Sequence, residues 1–197
     1  MTLRETTNTM GKSAEAWFRK RILIAVSAVA AVSIFLRVAF LLKLQGTPFY
    51  LEHFSDSRLY MKLAESIAFG QGIEEAFFMS PLYPYLLAIV WNITGNPELW
   101  MRLLQVVFGA VTAIASMWIG RRIFSAKTGI IAGMLVAMYA PLIYYDGLLL
   151  IESLQTMLLT LSLLTLIRAV QEDGLKDWLL AGLTLGAAAV TRANILL

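Results

Sequence analysis

The run Ile22–Leu42 is 21 residues long and carries one charge, Arg37. As a helix it is long enough to cross a hydrocarbon core of about 30 Å. Four more runs have the same character: Leu103–Gly120, Thr128–Tyr145, Leu148–Ile167 and Trp178–Leu197. Span-length apolar runs in this number predict an all-α polytopic membrane protein. Composition agrees, with 15% charged residues where soluble domains have nearer a quarter. The first 21 residues are polar and include Arg4, Lys12, Arg19, Lys20 and Arg21. The run after them is too long for the short apolar core of a signal peptide, so it is read as a first span with a basic cytoplasmic foot. The chain has no cysteine, which removes disulfides and thiolate metal sites. Outside the span flanks there is no Lys/Arg stripe, so nucleic acid is not an expected partner.

A sixth run, Pro81–Gly95, is short for a span and rich in interface-seeking rings: Tyr83, Tyr85 and Trp91. Basic residues decide its placement. If it lies along the surface or dips in and out, ten Lys/Arg fall on the cytoplasmic side and four outside. If it spans, the split is six against eight, so the positive-inside rule favours the first arrangement. The expected layout is a cytoplasmic N-terminus (1–21) and a transmembrane module (22–197) with five spans. Residues 43–102 form its first outer loop, holding two interfacial helices. One is Asp56–Phe69, where Leu59, Leu63 and Ile67 recur on one face and Gly70-Gln-Gly72 closes the helix. The other is Pro81–Gly95. The chain stops at Asn194-Ile-Leu-Leu inside the last run, which reads as a piece of a longer protein.

Ionisable groups inside spans cost about 2.5–3.5 kcal/mol each and mark functional candidates. Arg37, Glu152 and Arg192 are such groups. In the five-span layout all three fall toward the outer ends of their helices, Glu152 four residues into its own. Asp146, in the outer turn YYDG, and Asp56 with Arg58 lie at the same level. Acids and bases in one layer at a membrane face suit a ligand with an anionic head and a lipid tail, and arginine's planar fork suits phosphate. Plainer roles exist for each. Arg37, Arg58 and Lys62 can snorkel to headgroups. Asp56 can act only as a helix N-cap. Glu152 and Asp146 can pair with Arg37 or Arg192 to neutralise charge. Tyr144 and Tyr145 can line a sugar site or anchor the interface, and the anchor is the favoured reading; the lone His53 reads as an interfacial polar residue, and Glu74-Glu75 as a solvated loop pair. The Asn92-Ile-Thr94 sequon falls in an apolar helix and carries no weight.

Several stretches together resemble the N-terminal part of the C-type glycosyltransferases, in the branch holding protein O-mannosyltransferases and lipid A aminoarabinose transferases. They are Asp56–Gly70 (DSRLYMKLAESIAFG), Ser80–Leu87 (SPLYPYLL), Arg102–Phe124 with its GRRIF ending, Gly129–Tyr145, Leu148–Leu154 (LLLIESL) and Ala181–Arg192 (AGLTLGAAAVTR). The resemblance implies a transmembrane glycosyltransferase module whose first outer loop begins with an acid, the proposed catalytic base. Asp56 matches that acid. Glu152 matches the acid of the family's LLxxE stretch, and Arg192 a basic residue late in the module. Many members carry a second acid directly after the first; here that position is Ser57.

The implied activity is inverting transfer of a sugar from a polyprenyl-phosphate donor to a hydroxyl of a protein or lipid acceptor. Asp56 is expected to be catalytic, with Arg58, Glu152, Arg192, Asp146 and Arg37 binding substrate. No cofactor is implied beyond an optional divalent metal, whose ligands the sequence leaves unassigned. The expected location is a bacterial inner membrane, with the N-terminus cytoplasmic, the site on the outer face, and membrane lipids as neighbours. Two other readings fit parts of the sequence: a lipid-linked substrate carrier or flippase, since intramembrane charges also line transport paths, and an inactive fragment.

Overall fold

A computed structural model of the chain describes residues 3–50, 56–70 and 80–192. Among them are eight α-helices: α1 Leu3–Leu44, α2 Asp56–Ala68, α3 Leu82–Thr94, α4 Pro97–Ile123, α5 Ala126–Ala137, α6 Ala140–Gly147, α7 Glu152–Glu172 and α8 Leu175–Thr191. No strand occurs among the described residues. Three helices are long and apolar enough to cross a membrane: Lys20–Leu44 within α1, α4 and α7. The consecutive pair α5 and α6 makes a fourth, bent by 47°. The fifth expected span is represented by α8, 17 residues long; residues 193–197 of that expectation lie outside the described residues. The protein is an integral membrane protein, and exposed side chains such as Phe35, Ile131, Leu135, Leu163 and Leu183 give its helices a lipid-facing surface.

The central post is α4, which packs against α1, α3, α5, α6 and α7. It begins at Pro97, six residues before the expected span. Asn96 caps it, its Oδ1 accepting from Leu99 N at 3.3 Å. Proline suits the next position, because that N–H has no helical partner. Arg102, expected in the outer loop, is therefore inside α4 and buried. Helix α3 has 13 residues, about 20 Å, too short to span. It packs against α2 and α4.

Two further expectations are corrected. The run Thr128–Tyr145 is not one straight helix. Pro141 has no N–H to offer the Ala137 carbonyl four residues back, so the ladder breaks and the chain bends. Asp146 consequently lies in the last turn of α6 rather than in an open turn. The run Leu148–Ile167 is also interrupted: residues 148–151 form a turn, and Glu152 is the first residue of α7, not four residues into it.

Glycines set the close approach of α4 and α5. A Cβ at Gly129 would fall 2.5 Å from the Met117 carbonyl oxygen, and one at Gly133 2.8 Å from Met117 Cβ. Gly129 and Gly133 are four apart on one helix face, the small-residue spacing that lets membrane helices touch. Hydroxyls within the spans serve their own helices: Thr112, Thr156, Thr160, Ser162 and Thr191 each donate to the carbonyl four residues earlier. Between α7 and α8, Thr165 and Thr184 share a hydrogen bond of 3.0 Å.

Candidate active site

At one end of the bundle, polar residues of α4 tie down the break between α6 and α7. Gln105 Nε2 donates to the Leu148 carbonyl at 2.6 Å and to Ser153 Oγ at 3.3 Å. Arg102 Nε donates to the Gly147 carbonyl at 3.0 Å, and its Nη2 to the Tyr50 carbonyl at 2.8 Å. The last carbonyls of a helix lack intrahelical partners. Here α4 supplies donors, one of them a cation at the negative end of the α6 dipole.

The Pro141 break is answered from α1. Arg37 Nη1 donates to the Ala137 carbonyl at 3.1 Å, the acceptor the proline leaves vacant, and to Ser33 Oγ at 2.7 Å. Arg37 Nε donates to Asp146 Oδ2 at 2.5 Å. Both side chains are buried, so each charge answers the other. The two residues pair directly with each other. Gly109 of α4 makes room for the pair: a Cβ there would overlap both the guanidinium and the carboxylate.

Beside this pair lies a cavity of about 270 Å³. Arg37, Asp146, Glu152, Ser153, Thr156 and Tyr139 are among its walls. Two wall atoms, Arg37 Nη2 and Glu152 Oε2, are buried without a hydrogen-bond partner. Buried polar atoms are rarely left so. The cavity thus offers one donor and one acceptor to whatever enters it.

Glu152 and Arg192 also meet. Helices α7 and α8 form an antiparallel hairpin, so the start of one and the end of the other share a level. Arg192 follows the last turn of α8, and its Nη1 lies 3.9 Å from Glu152 Oε1. Arg192 is half exposed, and a pair this long and solvated is weak and free to exchange partners.

Asp56 opens α2 and is exposed. One turn later, Tyr60 is buried. Burial, then the charges of Glu152 and Asp56, push its phenol up to about 12, with Arg192 opposing. Tyr60 thus feels Asp56, Glu152 and Arg192 together. Its ring meets Tyr83 edge-on at 5.0 Å, and the Tyr83 hydroxyl donates to Gln105 Oε1 at 3.2 Å. A continuous path therefore runs from α2 through α3 and α4 to the α6–α7 break.

Tyr60 and Gln105 escaped the sequence reading, which took Tyr83 for an interface ring and Arg102 for a base of the outer loop. The Asn-Pro-Glu start of α4 is the signal that would have placed Arg102 and Gln105 inside a helix. Arg58 is exposed on α2 and does not line the cavity. Tyr144 and Tyr145 are both exposed, and Tyr145 is also one of the cavity walls. His53 and Glu74-Glu75 lie outside the described residues. Among the described residues no three His, Cys, Asp or Glu side chains gather as a metal site.

No curated protein and no solved structure matches the chain. A family model does match, over residues 79–197, more than half of the sequence. The matched region runs from the approach to α3 through the α6–α7 break to α8, and so includes Glu152, Arg192 and the cavity walls other than Arg37; Asp56 and Arg37 precede it. By that match the chain belongs to the dolichyl-phosphate-mannose-protein mannosyltransferase family.

Proposed function

We propose that the Asp56 end of the bundle transfers a sugar, with inversion, from a polyprenyl-phosphate donor to a hydroxyl acceptor. The family is one of membrane glycosyltransferases whose donor is a dolichyl-phosphate sugar. Residue roles, acceptor and stereochemistry are our reading. One observation carries it. Arg192 Nη1, just past α8, lies 3.9 Å from Glu152 Oε1 of α7, and both stand within electrostatic reach of Tyr60, one turn after Asp56 on α2.

In the proposed step, Asp56 takes the proton of the acceptor hydroxyl. The freed oxygen attacks the anomeric carbon from the face opposite the phosphate. The bond from that carbon to the phosphate oxygen breaks, and the lipid phosphate leaves with the electron pair. A single displacement inverts the anomeric centre. Arg192 offsets the charge growing on the phosphate, exchanging its loose pairing with Glu152 for the new anion. Arg37 Nη2 is a second donor facing a polar group of the substrate, and Asp146 fixes the guanidinium that carries it. Tyr60, kept neutral, offers a hydroxyl beside Asp56 without adding charge. The lipid tail enters laterally between spans.

We place this rim on the outer face of a plasma membrane. Arg121, Arg122, Lys127, Arg168 and Lys176 gather at the opposite end, the distribution expected of a cytoplasmic side. The test is Asp56→Asn in the reconstituted protein. Sugar transfer should fall by about 10²–10⁴-fold while donor binding persists. Undiminished turnover would remove Asp56 as the base.

A further inference from the structure

At the other end of the bundle, a second cavity of about 330 Å³ lies between α1, α4 and α5. Its polar lining is Arg21, Arg121 and Lys127; Ile22, Met117 and Ile130 are among its apolar walls. The cations at this end fall into two groups. Arg122 donates to Glu172 at 2.7 Å and to Gln171 at 3.0 Å, and Arg168 lies 3.1 Å from Asp177. Those cations are answered by acids of α7 and α8. The cavity is different. Among the described residues no acid lines it, and neither Arg121 nor Lys127 has an ion-pair partner. Arg121 is set over the Trp118 ring at 5.0 Å, and its Nη1 is buried without a hydrogen-bond partner. The close Gly129 packing holds Lys127, just before it on α5, near Arg121 on α4.

A buried guanidinium N–H without an acceptor is costly. Arg121 and Lys127, side by side with no acid paired to either among the described residues, select an anion. Phosphate fits best, because it accepts the arginine fork. The apolar walls reject a free, fully hydrated ion and suit acyl chains. We propose that this cleft binds one anionic phospholipid, its phosphate on Arg121 and Lys127 with Arg21 alongside, its chains against Ile22, Met117 and Ile130. The site is separate from the proposed donor site, at the opposite end of α4, and does not depend on it.

The test uses the intact chain in neutral detergent, titrated separately with phosphatidylglycerol, phosphatidylcholine and inorganic phosphate. Bound lipid is counted by native mass spectrometry, with the thermal midpoint as a second readout. Phosphatidylglycerol should bind one per chain and raise the midpoint, and the other two should not. Lys127 is exposed, so Lys127→Gln leaves the fold intact. It should weaken phosphatidylglycerol binding about fivefold, and Arg121→Gln with Lys127→Gln about 30-fold. Arg122→Gln, whose cation is already paired, should leave affinity unchanged. If Arg121→Gln does not fold, the Lys127→Gln titration decides. Equal binding of phosphatidylcholine, or unaltered affinity in Lys127→Gln, overturns the site. Inorganic phosphate binding as tightly as the lipid overturns its assignment to a lipid.

Discussion

Tyr60 has no special place in the sequence pattern, yet it is the side chain at which the charged candidates meet. Its folded pKa of about 12 lies above the ordinary value of 10.0. The folded state therefore holds the phenolic proton more tightly than the unfolded chain does. The stability this contributes is complete below pH 10 and is lost as pH rises through about 12. Around neutrality the phenol is a neutral donor. Tyr60→Phe should delete one component near pH 12 from the tyrosinate absorbance titration. Loss of no late component would mean that Tyr60 is neither buried nor close to Glu152 and Asp56. The acids and the late arginine were legible because charge stands out in an apolar run. Tyr60 and Gln105 were not, because an uncharged polar residue on a helix declares itself only when its neighbours are known.

At the scale of elements, the bend between α5 and α6 and the Arg37–Asp146 pair are one device. Proline removes a donor, the Ala137 carbonyl is left open, and Arg37 fills it while Asp146 neutralises Arg37. Arg37→Met should destabilise the protein by about 3–5 kcal/mol, because it strands a buried carboxylate and a carbonyl together. Asp146→Asn added to Arg37→Met should recover part of that loss. Unfolding in mixed micelles measures both; additive losses would mean that the two residues act independently. Hydropathy found α1, α4 and α7 because a span is a length of apolar residues. It could not see the turn at residues 148–151, where four apolar side chains sit in non-helical backbone held by Gln105 and Arg102. The bend at Pro141 was written in the sequence, but an apolar run containing one proline still reads as a span.

On the scale of the whole molecule, the helices run back and forth, so that Glu152 and Arg192 meet at one end and Arg122 and Arg168 pair with Glu172 and Asp177 at the other. Counting Lys/Arg kept Pro81–Gly95 from spanning, and the 13 residues of α3 are too few to span. A reporter inserted at Ser125, in the α4–α5 turn, should read cytoplasmic; an external reading would reverse the proposed orientation and put Asp56 on the inner face. The convergence of Asp56 with Glu152 and Arg192 is the claim on which the catalytic reading stands. The chain contains no cysteine, so introduced thiols report without background. The most direct measurement is cross-linking of Asp56→Cys with Arg192→Cys by a short bifunctional thiol reagent, in membranes. Efficient intramolecular cross-linking is the result expected if both flank Tyr60; cross-linking only with spacers spanning tens of ångströms would contradict a shared site.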